Sequence, residues 1–134
     1  MADIVIDTQI AVWYFEDAGR LSKLAESRLK EAVRDGETIF ISAITIVEII
    51  YLVEKGRLSQ PMLELLLDEL QMVNSSFLTQ SLTADIAETL AKIPRSTVPD
   101  MPDRIIAATA LHLGLPLITS DGNIHKLTNV ETIW

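Results

Sequence analysis

Twenty-five residues, VPDMPDRIIAATALHLGLPLITSDG from Val98 to Gly122, limit most severely what this chain can fold into. Pro102 can belong only to the first turn of a helix, which puts Asp100 and Asp103 at capping positions. Apolar residues recur at Ile105, Ile106, Leu111 and Leu113, with alanines between them that permit close packing. Gly114 supplies a left-handed helix stop, and Pro116 prevents continuation. Leu115, Leu117 and Ile118 then read as a short buried strand that delivers Thr119, Ser120 and Asp121 at its carboxyl end. A helix that begins with an acid and a strand that ends with one can aim both at a single point, the arrangement of a metal site.

The remainder of the chain repeats the alternation. Asp3 to Asp7 (DIVID) reads as a central parallel strand buried on both faces and closed by an acid. Thr8 is expected to cap one or two helical turns through IAVWYF. Leu21 to Val33 has helix spacing, with Leu21, Leu24, Ala25, Leu29, Ala32 and Val33 inward, and Asp35-Gly36 closes it. Thr38 to Ile41 is the second strand. Ser42 caps a helix from Ala43 to Lys55 that is apolar on most faces and so expected to be buried, with Glu48 on its narrow polar stripe. Ser59-Gln60-Pro61 opens a further helix in which Leu63, Leu66, Leu67 and Leu70 face the core. Met62, Leu65 and Met72 or Val73 are left over for a partner. Phe77 to Thr79 is a weak third strand, and Thr83 to Ile93 a helix with Ile86, Ala87 and Leu90 inward. Asn123 to Leu127 is a turn or short helix, and Val130 to Trp134 a last strand.

This order of elements predicts an α/β, Rossmann-like three-layer α/β/α fold over residues 1–134 as a single domain, with a parallel sheet of four to five strands. If the strand order is 3-2-1-4-5, strands 1 and 4 are neighbours where the order reverses, the place where ligands collect in such sheets. Asp7 and Asp121 then converge.

Each acid also has an ordinary reading. Asp7 can bond turn amides, and Glu48 can sit in an ion pair with Lys55 or Arg104. Asp100 with Asp103 approximates a capping box, and Asp121 before Gly122 suits a turn. Jointly the readings change, because carboxylates gathered at apolar element ends repel unless protonated or neutralised by a cation. Oxygen-only ligands select Mg2+, Mn2+ or Ca2+ over zinc or copper. Thr119 and Ser120 either orient a carboxylate or water or simply end a strand. Arg104 can reach a phosphate, but pairing with a carboxylate is the expectation. His112 reads as structural within its helix, and His125 has no assigned role. Trp13, Tyr14 and Phe15 read as core and lid packing rather than a base-stacking platform.

Composition removes several classes of function. With no cysteine, disulfides and thiolate metal sites are excluded, which suits a reducing cytoplasm. No apolar run approaches the roughly 20 residues that span a bilayer, so no membrane role is expected. Nineteen acids against 11 Lys and Arg give a net charge of −8, which argues against nucleic-acid binding through a broad basic surface. Any nucleic-acid chemistry must then lean on a bound cation.

Asp7-Thr8 after a strand, Glu48 within ITIVEI, Asp103 within PDRIIAATAL and Asp121 within LITSD together resemble the acidic positions of PIN-domain ribonucleases. Within that family the likeness is to the VapC-type toxins of toxin–antitoxin pairs. It covers essentially the whole chain, and DRIIAATA followed by a strand ending in T-S-D is its most specific part. The resemblance implies an Mg2+- or Mn2+-dependent endoribonuclease with an RNA substrate, frequent homodimers and inhibition by a cognate antitoxin. It implies that Asp7, Asp103 and Asp121 are the core metal-binding acids and Glu48 the second acid. Thr8 and Thr119 match its hydroxyl positions, and Asp100 an acid found in a subset. A phosphoacceptor receiver fits worse, since the first strand ends in one acid and Lys126 is misplaced. A haloacid-dehalogenase-like phosphatase needs two aspartates one residue apart, and Asp7-Thr8-Gln9 lacks them. A non-catalytic PIN-like domain acting through protein contacts remains the alternative, and the surplus apolar residues, with Trp134, suggest a partner surface.

Overall fold

A computed structural model of the chain describes residues 3–134. Five parallel strands, β1 (Ile4–Ile6), β2 (Ile39–Ser42), β3 (Phe77–Gln80), β4 (Leu117–Ile118) and β5 (Thr132–Ile133), form one sheet in the order β3-β2-β1-β4-β5. The expected order is therefore observed, and β1 pairs on one side with β2 and on the other with β4. β4 and β5 are shorter than the apolar runs around them suggest, because Leu115 and Val130 lie outside the paired registers.

The three consecutive apolar residues of β1 follow from helices on both faces. Ile4 and Ile6 pack into one core with Ile10, Leu29, Ile49 and Leu66, whereas Val5 enters a second core with Ile86, Ile106 and Leu117. Alternation along the strand thus distributes one short segment between two layers. The helices are α1 (Thr8–Glu16), α2 (Lys23–Arg34), α3 (Ala43–Glu54), α4 (Gln60–Gln71), α5 (Ala84–Thr89), α6 (Met101–Leu113) and the one-turn α7 (Gly122–His125). α6 ends at Gly114, whose φ of 67° is the left-handed stop that its sequence called for. Among the described residues no helix is long and apolar enough to cross a membrane.

Several helix faces depart from expectation. Asp7, not Thr8, caps α1, so the helix starts one residue earlier and runs for nine residues. Ser22 caps α2 rather than facing outward within it, and Leu24 and Val33 are exposed. α5 covers only half of the expected helix before a 3-10 turn at Leu90–Lys92, and Ala87 is exposed. Met62 is 2% exposed and belongs to the core, whereas Leu65, Met72 and Val73 are exposed as expected. The largest departure is α3, which is not buried all round: Val47, Ile50 and Tyr51 form an open face. Tyr14 and Phe15 pack with Phe77, and Trp13 lies against Trp134 with ring centroids 5.7 Å apart, which bears out the packing reading of these aromatics.

Candidate active site

Asp7 occupies the carboxyl end of β1 and is 4% exposed. Its Oδ1 accepts from the Ile10 backbone N–H at 2.9 Å, satisfying an orphan donor of the first helical turn. Its Oδ2 accepts from the Thr119 hydroxyl, and Thr119 Oγ1 in turn accepts from the Asp121 N–H at 3.0 Å. The ends of β1 and β4 are thus joined by a side-chain chain running Asp121, Thr119, Asp7. Asp121 caps α7, taking the N–H groups of Asn123 and Ile124 on Oδ1, which leaves Oδ2 free.

On the opposite wall Thr8 donates to Glu48 Oε1 at 2.5 Å and lies 3.0 Å from the Thr45 hydroxyl. Thr45 is fully buried and stands one turn before Glu48 on α3, so the polar stripe of an otherwise apolar helix is what turns Glu48 toward β1. Asp100 caps α6 by accepting from the Asp103 N–H at 3.1 Å. Asp103 therefore stands in the first turn, where a carboxylate is favoured by the helix dipole.

Asp7, Glu48, Asp103 and Asp121 line one cavity of about 310 Å³, together with Thr8, Gln9, Leu52 and Ser120. The four acids come from four different elements, and the reversal of strand order between β1 and β4 brings them together. A larger cavity of about 430 Å³ beside β3 contains one carboxylate, Glu69, which is bonded to Ser75, and gathers no comparable chemistry.

The charges are in conflict. Burial pushes the Asp7 carboxyl up to about 6, opposed by the Thr119 and Ile10 bonds and reinforced by Asp121 and Glu48. Burial, then Asp100, Asp121, Glu48 and Asp7, push Asp103 up to about 7. Glu48 is raised as well, by burial and by Asp100 and against the Thr8 bond. Hard, oxygen-only donors that resist ionising together suit a divalent cation. Among the described residues, however, no three acid or histidine side chains stand close enough to form a closed metal cage. That spacing fits a hydrated ion better than a dehydrated one.

Three of the expected site residues do not line the cavity: Asp100, Arg104 and Thr119, the last buried behind Asp7. Asp100 is exposed at its cap and acts on the site through its charge alone. Among the described residues Arg104 pairs with no acid: its Nε and Nη2 donate to the Ile93 carbonyl at 3.0 and 2.8 Å, and Nη2 to the Leu90 carbonyl at 3.0 Å. The guanidinium one residue beyond Asp103 bonds the Ile93 carbonyl at the end of the 3-10 turn and adds a second bond to the Leu90 carbonyl, which also accepts the Ile93 N–H. Arg104→Met should accordingly lower stability by about 2 kcal/mol in urea unfolding, the range for hydrogen bonds to a charged donor. Lost activity at unchanged stability would contradict this role.

His125, without a role in the sequence, is bonded on both ring nitrogens. Nε2 lies 2.7 Å from the Thr119 carbonyl, which can only accept, so Nε2 donates, and Nδ1 lies 2.7 Å from Thr132 Oγ1. It ties the β4 end to β5 directly behind Thr119. Its position four residues after Asp121 was the available signal. His112, expected to be structural, is exposed in the last turn of α6.

Comparison with known proteins follows the same outline. The PIN domain family model matches residues 4–130. Ribonuclease VapC22 of Mycobacterium tuberculosis is 28% identical over 136 aligned residues that cover all of both chains. Among solved structures, VapBC2 from Rickettsia felis bound to a promoter DNA fragment matches with a TM-score of 0.75 at 17% identity, over 98% of this chain and 97% of that one. The DNA-bound VapBC of Salmonella typhimurium matches at 0.74 and 17%, over 99% and 98%. VapBC-5 from Mycobacterium tuberculosis matches at 0.67 and 20%, over 99% and 98%.

Proposed function

Because this chain belongs to the PIN domain family, we propose that it is a cytoplasmic, single-domain, metal-dependent endoribonuclease, the toxin of a toxin–antitoxin pair. The observation that carries the reading is the cavity in which Asp7, Glu48, Asp103 and Asp121 meet at the reversal of strand order. Its relative Ribonuclease VapC22, alike over its full length, supports RNA as the substrate.

Asp7, Glu48, Asp103 and Asp121 would hold an Mg2+ or Mn2+ ion. When bound, such an ion supplies charge neutralisation at the scissile phosphate and acidification of the attacking water. The chain's own residues do the rest. Thr119 and the Ile10 N–H hold Asp7 in one orientation, and Thr8 does the same for Glu48. Gln9 and Ser120 line the same cavity and offer neutral hydrogen-bonding groups to the sugar and phosphate. In-line attack by water leaves a 5′-phosphate and a 3′-hydroxyl, and neither histidine nor lysine is required for it.

The solved VapBC complexes support an antitoxin as partner. The open apolar face of α3, with Val47, Ile50 and Tyr51, supports a protein contact there, either that antitoxin or a second copy in a homodimer. One observation favours a second reading, a PIN-like domain that acts through protein contacts alone: the acids do not form a closed cage. Incubation of a structured RNA with the chain in Mn2+, Mg2+ or EDTA separates the two. Cutting that needs the cation supports the nuclease. Measured absence of both cutting and metal binding leaves the second reading.

A further inference from the structure

The acidity of the chain poses a problem for any polyanionic substrate, and five of its 11 Lys and Arg side chains are already engaged. Arg28, Lys30 and Arg34 form ion pairs with Glu37, Glu26 and Asp35. Arg104 is spent on backbone carbonyls, and Arg20 lies over the Trp13 ring, 5.4 Å from its centroid. Lys92 and Lys126 differ. Both are exposed, neither is in an ion pair among the described residues, and together they line a cavity of about 230 Å³ that contains no carboxylate. Thr97, Thr128 and Asn129 add neutral hydrogen-bonding groups to the same wall.

Both sides of this cavity are built onto the acidic site. One side is the segment from Lys92 to Thr97, whose carbonyls at Leu90 and Ile93 are gripped by Arg104, the residue next to Asp103. That segment turns at Pro94, whose carbonyl accepts from the N–H groups of Thr97 and Val98, and continues through buried Val98 to Asp100. The other side is the stretch from Lys126 to Asn129, which leaves the helical turn capped by Asp121. Asn129 Nδ2 donates to the Lys92 carbonyl at 3.0 Å and fastens the two sides together. The Arg104 and Asn129 side-chain bonds, with the backbone turn at Pro94, thus fasten the two sides of the cavity to each other and to the segment that carries Asp103.

We propose that the Lys92–Lys126 cavity is a subsite for a backbone phosphate of the RNA substrate, flanking the bond that is cut. The proposal rests on RNA being the substrate and stands on two ammonium groups that share one carboxylate-free cavity, on segments that lead to Asp100 and from Asp121. An ammonium is a compact point charge with three donors, suited to a phosphate without regard to base identity. The subsite therefore contributes affinity and register rather than sequence choice.

The test is the salt dependence of binding to a labelled single-stranded RNA, measured by fluorescence anisotropy with Ca2+ as the divalent cation. For Lys92→Gln/Lys126→Gln the slope of log K against log[KCl] should fall by about 1.4 relative to wild type, two phosphate contacts at roughly 0.7 each. Lys23→Gln, on α2, should leave it unchanged. An unchanged slope in the double variant, an equal fall in Lys23→Gln, or no RNA binding by wild type overturns the subsite. Parallel incubation of wild type with Mn2+ separates the two levels of inference. RNA cleavage with an unaltered slope sinks the subsite alone, while a reduced slope without cleavage keeps the lysines as an RNA-phosphate contact and sinks the nuclease, and with it their place beside a cut bond.

Discussion

Asp7→Asn should lower RNA cleavage about a thousandfold while making the cation-free protein more stable at pH 8. Loss of a charge that holds the cation removes several kcal/mol of transition-state stabilisation, and each 1.36 kcal/mol is a factor of ten. The gain in stability has a separate origin. Asp7 is 4% exposed and its carboxyl is raised to about 6, so ionising it in the folded chain is unfavourable by up to about 3 kcal/mol relative to the unfolded chain. Asparagine retains an oxygen for the Ile10 N–H and turns its amide toward the Thr119 hydroxyl. Activity and melting temperature should therefore move in opposite directions, which a damaged fold cannot produce. Cation-dependent cutting retained by the variant, or a lower melting point in EDTA, would remove Asp7 from the role assigned to it.

The second large effect is on pH. A carboxyl whose pKa is higher in the folded chain binds its proton more tightly there, so the associated stability is present below the unfolded value and lost as pH rises through the folded one. Asp7 at about 6 and Asp103 at about 7 set that window. In EDTA the melting temperature should fall from about pH 4 to about pH 7 and flatten above it. Added Mn2+ or Mg2+ should restore the lost stability at pH 8, because a ligand bound only by the folded state stabilises it. The same ions should do little at pH 4, where protonated acids cannot hold them. Scanning calorimetry at three pH values, with and without cation, measures both. A cation effect as large at pH 4 as at pH 8 would mean that these acids are not the site.

The features legible in the sequence are those decided within a few residues. Asp100 before Pro102, Ser42 before its helix and Gly114 after α6 all cap as expected, because capping depends on local backbone donors and carbonyls. The convergence of the acids was also legible, since Asp7 and Asp121 each end an apolar strand and the order of elements made those strands neighbours. Asp7 and Thr8 are both good caps, one residue apart, and only the tertiary bond to Thr119 decides between them. The leucines of α4 exceed one stripe and left its phase open, which is why Met62 is buried. α3, apolar almost all round, marked with its narrow polar stripe where Glu48 faces but not which of its apolar residues stay open. Arg104 and His125 find partners 11 to 14 and 6 to 7 residues away through turns whose geometry no local pattern specifies.

The pairing of β1 with β4 joins residues more than a hundred positions apart. Loop closure over that span is costly, so contacts of this kind form late relative to local ones. During synthesis Asp7 and Glu48 can come together once β2 and α3 exist, but Asp103 and Asp121 arrive only with the last third of the chain. A ribosome that stalls or a protease that cuts before Asp103 therefore releases a fragment without a complete set of carboxylates. With these four acids as its site, the nuclease would stay inert until the chain is nearly finished, a consequence of where the acids fall along it.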